Sequence, residues 1–291
     1  MVPVFSHLAW FDIADPASPE LDELARRFEL HPLQIEDCRH RPQRPKTEEH
    51  DHYIFTVLKH MHNQGELEFD DLDLFLGPDF LISVRSNDSV IFESVRARAE
   101  QEHIDRLDRL FYMIIDQIVD GYQPVLDKLA DDISDIEDVV LDRPDPETLA
   151  EIFSLKRKLV EFRRVASGMR EVVNNLTRRE KGLLGDDLDV YFRDIYDHII
   201  RTVELIETYR DLLSGALDIY LSAVANRTNE VMKVLTIWGT VALPLLIITG
   251  FFGMNLKLPW TNSIHGTAFA VALMAISTIT ILVYFKRKHW F

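Results

Sequence analysis

The sequence predicts an α+β domain of α/β/α sandwich type, continued by a long helix into two C-terminal membrane-spanning helices. Three observations predict it. Apolar runs with strand character lie between residues 52 and 84, helical periodicity takes over from about Ser89, and two uncharged apolar stretches sit near the end of the 291-residue chain.

Glu20–Phe28 has the pattern of a helix packed on the strands. His52–Leu58 is a β-rich apolar run, Asp71–Leu76 alternates, and Phe80–Val84 is apolar again. Asn63–Glu66 and Gly77-Pro78-Asp79 supply turn chemistry between them, so a meander is expected. Residues 105–142 carry apolar positions every three or four residues. Asp142–Pro146 breaks that helix, with Asp145 as N-cap and Pro146 in the first turn of a second helix reaching about Thr177. Gly182–Gly185 breaks the pattern again, and Asp186 or Asp187 is expected to cap the next helix. From Val190 the periodicity runs on without a stop signal to Gly253, weakened at Gly215 and Gly239 and with a kink expected at Pro244. The domains expected are an α/β part over 1–104, a helical region and stalk over 105–232, and a membrane region over 233–291.

Charge is unevenly divided. Only six basic residues (Arg227, Lys233, Lys257, Lys286, Arg287, Lys288) and one acid, Glu230, lie beyond Asn226, which leaves a formal charge of −21 on residues 1–225. Such an acidic body argues against nucleic acid as a partner and suits the attraction of cations. The single cysteine, Cys38, excludes an intrachain disulfide and reads as a packing residue. Met1–His7 lacks a basic region followed by an apolar core, so no signal peptide is expected. The sequence contains neither a phosphate-binding Gly-rich loop nor a hydrolase or metalloprotease motif, and an enzyme is not expected.

The first span is expected at about 234–254, an outer loop at 255–265, and the second span at about 266–285. The first is 21 residues, about 30 Å as a helix, which matches the hydrocarbon thickness of a bilayer. Arg227 and Lys233 precede the first span and Lys286-Arg287-Lys288 follow the second, whereas the loop holds only Lys257. The excess of basic residues places both termini in the cytoplasm, with Trp260 and Trp290 at the interfaces. Within the first span Met232, Thr236, Gly239, Leu243, Leu246, Gly250 and Gly253 recur with strict four-three spacing, the seam of a helix bundle. Two spans cannot enclose water, so this stripe is either a simple dimer seam or the wall of a pore in a cyclic oligomer. Asn229, Met232, Leu235, Leu243 and Leu246 are candidate pore-lining positions, the apolar ones able to gate by dewetting.

Gly253-Met254-Asn255 closes the first span, and Asn229–Thr236, Tyr191–His198, His31–Asp37, Gln43–Lys46 and Lys286–Trp290 lie upstream and downstream of it in order. On these residues the chain resembles the CorA-type magnesium and cobalt transporters over nearly its whole length. The resemblance implies a funnel-shaped homopentamer in the cytoplasmic (inner) membrane that carries Mg²⁺, and often Co²⁺ and Ni²⁺, inward. It implies a selectivity ring of Gly253, Met254 and Asn255, and a regulatory Mg²⁺ site with Asp194 as its candidate; the Glu66–Asp71 hairpin of a neighbour is one source of a partner, which the sequence does not assign. Two departures stand out: Phe252 replaces the tyrosine common before the tripeptide, and Leu256–His265 carries Lys257 and no acid. A Zn²⁺ transporter of the related Gly-x-Asn branch and a non-conducting divalent-ion sensor are the alternatives. The acidic run Asp131–Asp138 reads first as a solvated face, and His50, His52, His60 and His62 have no metal-ligand spacing.

Overall fold

The structure is a computed structural model that describes residues 8–61, 67–86, 90–142, 145–178, 182–254, 264–288 and 290. The chain falls into two compact units, 1–217 and 218–291.

In the first unit a five-stranded mixed sheet has the order β1-β5-β4-β3-β2, with β1 at Trp10–Ile13, β2 at Lys46–Glu49, β3 at Ile54–Met61, β4 at Phe69–Leu76 and β5 at Leu81–Arg85. β3, β4 and β5 form the expected antiparallel meander, Phe55 opposite Phe75 and Phe75 opposite Ile82. The sequence reading missed both edges. β1 joins β5 in parallel, and β2 joins β3 antiparallel. β2 reads Lys-Thr-Glu-Glu and β1 has four residues, so neither offers an alternating apolar run. A short charged edge strand is also what discourages pairing with other chains.

β3 is buried at every position, because the sheet is covered on both faces. On one face Phe11, Val57, Phe75, Ile82 and Val84 pack with Leu21, Leu24 and Ile35 of α1 (Pro19–Arg27) and α2 (Pro32–Arg39). On the other lie α3 (Val90–Gln101), α4 (Leu107–Asp120) and α6 (Pro146–Thr177). Trp10 meets Phe92 at 5.8 Å between ring centroids, and Phe69 meets Phe162 at 5.5 Å. This is the α/β/α arrangement that the sequence predicts.

The helix expected across 105–142 is two helices. α4 ends at Asp120, and α5 (Gln123–Asp142) starts after Gly121 and Tyr122. Tyr122 is fully buried and donates its hydroxyl to Lys59 O at 2.6 Å, so a tertiary bond fixes the turn where periodicity alone reads straight through. Asp145 caps α6 as expected, accepting from Thr148 N at 2.8 Å. The expected cap at Asp186 or Asp187 is absent: a short 3₁₀ turn, Asp186–Leu188, precedes the next helix, and the Asp187 carboxylate pairs with Arg106 at 2.9 Å instead.

α7 then runs from Asp189 to Phe252, 64 residues without interruption at Gly215, Gly239 or Pro244. Its first half buries Phe192, Ile195, Ile199, Thr202, Ile206, Leu213 and Ala216, a three-four seam. Phe192 packs edge-on to Tyr112 at 5.8 Å. In the second unit the end of α7 is followed by α8 (Ile264–Arg287). Both helices are long and apolar enough to cross a membrane.

One side chain ties the sheet to the segment before β2. The Arg41 guanidinium donates to the carbonyls of Cys38 (2.9 Å), Asp71 (2.8 Å) and Val84 (3.0 Å), to Ser86 Oγ (2.6 Å) and to Asp73 Oδ2 (2.6 Å). Burial outweighs this pairing and pushes the Asp73 carboxyl up to about 6, and the Cys38 thiol facing it is pushed well above its ordinary value, chiefly by burial. Removing one partner of a buried ion pair costs about 3–5 kcal/mol. Arg41→Ala should therefore lower the thermal unfolding midpoint of the purified protein clearly, whereas Arg39→Ala, which cuts an exposed pair with Asp22, should move it little.

Candidate functional site

In the membrane part of α7 most positions are exposed, and the half-buried ones form one line opposite the predicted stripe. Ile237, Val241, Pro244, Leu245, Ile248 and Phe252 are half-buried. Met232, Thr236, Gly239, Leu243, Leu246, Gly250 and Gly253 are exposed, Leu243 by 60 % and Leu246 by 67 %. At about 100° per residue the two sets lie nearly half a turn apart. α8 shows one covered line of its own, Gly266, Ala270, Met274, Ser277, Ile281 and Phe285, and Phe269 meets Phe252 of α7 at 6.4 Å. Among the described residues of one chain nothing covers the predicted stripe. A Cβ added at Gly239 or Gly250 would meet no atom within 4 Å. Asn229 and Leu235 are exposed as well.

The uncovered line does not stop at the membrane part. Continued backward with the same three-four spacing it passes through Ala225, Ser222, Asp218, Gly215, Asp211, Thr208, Glu204, Arg201, Asp197 and Asp194 to Val190, and each of these is exposed. One heptad-spaced line of α7 is therefore exposed from Val190 to Gly253, acidic in the first half and apolar with small residues in the second. A sequence reading confined to the span misses this, although the spacing is written in the same residues.

The helix ends with Gly253 N donating to Thr249 O at 2.9 Å and Met254 N to Phe251 O at 3.3 Å. The last carbonyls of a helix lack intrahelical partners and carry its negative dipole end, so this terminus favours a cation. A Cβ at Gly253 would press to 2.9 Å from Thr249 O, so glycine lets this turn close. Thr236 and Thr249 turn their hydroxyls back to Met232 O (2.7 Å) and Leu245 O (2.8 Å), which hides two polar groups in an apolar helix. Asn255, Lys257, Trp260 and the rest of 255–263 lie outside the described residues, as do Asn63–Glu66 and His62.

Asp194 is 66 % exposed, with His198 Nε2 3.9 Å from its carboxylate and Asp120 3.8 Å from His198 Nδ1. Burial, then the Asp116 carboxylate, pushes the Asp120 carboxyl above its usual range. Among the described residues no three His, Cys, Asp or Glu side chains converge as a metal cluster. Asp71 closes the Glu66–Asp71 segment considered as one source of a partner for Asp194. That carboxylate is buried, holds Lys59 and accepts from Gln43 N at 2.6 Å, so it is committed inside its own subunit. The described histidines of the run from His50 form no metal cluster, although His50 also stacks on His31 at 5.6 Å. His50 stacks on Tyr53 at 4.9 Å, His52 bonds Phe28 O at 3.1 Å, and His60 is buried against Met61 O. Asp131, Asp135 and Asp138 are exposed on α5 above buried Ile133 and Ile136, a solvated face.

Fold and site together define a two-span membrane protein whose α/β/α domain is continued into the bilayer by one helix with an uncovered face. The family model described as "CorA-like Mg2+ transporter protein" matches residues 5–287, and the chain belongs to this family. It is 40 % identical over 271 residues to the cobalt/magnesium transport protein CorA of Thermotoga maritima, covering 90 % of this chain and 77 % of that one. It is 33 % identical over 286 residues to the putative metal ion transporter YfjQ of Bacillus subtilis, covering 97 % and 89 %. The fold matches the complete structure of the CorA magnesium transporter from Methanocaldococcus jannaschii with a TM-score of 0.87, at 24 % identity, over 98 % of this chain and 92 % of that one.

Leucine is a better helix former than glycine, so Gly250→Leu should leave the single chain folded. If the stripe is a surface between copies, it should cut ion flux at least about tenfold or change the size of the detergent-solubilised assembly. Unchanged flux and unchanged size would remove the stripe's role.

Proposed function

We propose that the protein carries Mg²⁺, and with it Co²⁺, into the cell across the cytoplasmic membrane, as a ring of copies whose α7 helices surround a watery path. The observation that carries this is the uncovered face of α7, which runs without interruption from Asp194 to Gly253 in a chain of this family. Five copies, as the resemblance implies, and both termini in the cytoplasm, as the basic flanks imply, complete the arrangement. Residues 1–104 and 105–232 then form the cytoplasmic part and 233–291 the membrane part. Relatives named for cobalt and magnesium favour this reading over a Zn²⁺ transporter or a silent sensor.

Mg²⁺ gives up its waters reluctantly. Asn255 offers an amide oxygen that accepts hydrogen bonds from coordinated water, and Gly253 a carbonyl that no side chain shields. A ring of these groups, with Met254 beside them, selects a hydrated ion by size and hydrogen-bond pattern. Past it, Gly250, Leu246, Leu243, Gly239, Thr236, Leu235, Met232 and Asn229 line the path, and the leucines and methionine close it by dewetting. An inside-negative potential supplies about 4–5 kcal/mol per 100 mV for a doubly charged ion, so inward movement needs no covalent step.

Regulation comes from repulsion. Copies of a body with a formal charge of −21 over residues 1–225, brought around an axis, repel one another through Asp194, Asp197, Glu204, Asp211 and Asp218. Mg²⁺ held between subunits at Asp194 relieves that repulsion and stabilises the closed ring. Its loss at low internal Mg²⁺ frees the stalks to move.

Asn255→Ala should abolish Mg²⁺ uptake into proteoliposomes while leaving the assembly's size intact, and cobalt(III) hexaammine, which keeps its ligands, should block the unaltered protein. Normal uptake by the variant would falsify the selectivity role, and absence of block would point to a dehydrated ion. Asp194→Asn should move closure to higher internal Mg²⁺ in a flux dose–response curve. A superimposable curve would show Asp194 to be an ordinary surface carboxylate.

A further inference from the structure

A cleft of about 590 Å³ lies in the cytoplasmic unit between α6, α7 and the segment entering β2. Its charge opposes that of the body around it. Arg44, Lys59, Arg164 and Arg170 line it against one acid, Glu171, in a chain whose net charge is −16. Lys59 is already neutralised by Asp71 behind the wall. Arg44, Arg164 and Arg170 are exposed, and no hydrogen bond or ion pair engages their side chains among the described residues.

The cleft is built rather than incidental. At Gly168 the α6 backbone comes so close to the segment before β2 that an added Cβ would stand 2.9 Å from Pro45 Cγ. This contact brings Arg44, on the loop, into one concavity with Arg164 and Arg170, on the helix. Ser167 and Asn174 present hydroxyl and amide groups from the same helix, and Tyr196 contributes a half-buried ring from α7.

Three like charges gathered in one concavity repel one another until an anion joins them. A guanidinium is a planar fork that matches phosphate oxygens in pairs. The volume falls in the range of small-molecule sites, about 300–1,000 Å³, which is more than a single phosphate fills. We propose that this cleft binds a polyphosphate chain, the shared chemistry of a nucleoside triphosphate and inorganic tripolyphosphate, through Arg44, Arg164 and Arg170. The proposal is independent of the transport reading, since it concerns different residues and a different ligand.

Calorimetric titration of the full-length detergent-solubilised protein, in metal-stripped buffer so that chelation contributes nothing, tests it with tripolyphosphate, ATP and adenosine. Tripolyphosphate and ATP are expected to bind with Kd below about 1 mM, and adenosine not at all. The double variant Arg164→Ala/Arg170→Ala should weaken both polyphosphates at least about tenfold, and Glu171→Gln should tighten them. Equal affinity for the two ligands would identify the phosphate chain alone as what is recognised; a clear preference for ATP would add the base, through Tyr196. Arg164, Arg170 and Glu171 are all at the surface, so folding is not at stake, and thermal unfolding of the variants confirms it. No saturable binding of either polyphosphate at about 10 mM, or binding unaffected by the double variant, overturns the proposal. So does a double variant that changes only the size of the assembly, which would show that the arginines meet acidic groups of a second copy.

Discussion

One helix has to live in two solvents. The backbone ladder of α7 is continuous from Asp189 to Phe252, while the side chains along it change from charged and amphipathic to almost wholly apolar. A helix can do this because its hydrogen bonds are internal and need neither water nor a neighbour. Every other feature is arranged around that constraint. The sheet and its helices bury the seam Phe192–Ala216, and a heptad-spaced line of α7 stays exposed from Val190 to Gly253.

That open line sets what assembly must supply. An exposed apolar line at Met232, Leu243 and Leu246 costs nothing in lipid but gains nothing from it either, so association there depends on close backbone approach and packing. Gly239 and Gly250 provide the approach, with empty space where a side chain would be. Farther back, carboxylates at Asp194, Asp197, Glu204, Asp211 and Asp218 occupy the same line, where proximity between copies is electrostatically unfavourable. In the proposed ring this line would hold copies together at one end and repel them at the other, the two tendencies between which a divalent cation would mediate.

Much of this is legible in the residues. Runs such as Ile54–Met61 and Leu81–Arg85, buried on both sides of the sheet, announce themselves as strands, and the caps at Asp145 and Pro146 carry local chemistry that needs no tertiary context. The illegible parts are decided by distant partners. β2 is a strand because β3 holds it, not because Lys-Thr-Glu-Glu prefers to be one. The break after Asp120 is fixed by the Tyr122–Lys59 bond across 63 residues. Asp71 reads as a surface acid on a hairpin, yet Lys59 and the Gln43 amide claim it. The basic cleft is invisible in the sequence because Arg44 and Arg164 are far apart along the chain and only the fold brings them together. Asn255, by contrast, stands out by motif alone.

The open line on α7 repeats every seven residues, whereas an α-helix turns once in 3.6. From Val190 to Gly253 there are nine such repeats. A straight helix would let the line slide around its surface by about 20° per repeat, roughly half a revolution in all. Copies that keep this line toward a common axis must therefore coil left-handedly about one another like strands of a rope. In a rope, untwisting one end loosens the other, so a rotation among the carboxylates would reach the glycines at the far tip as a change in bore.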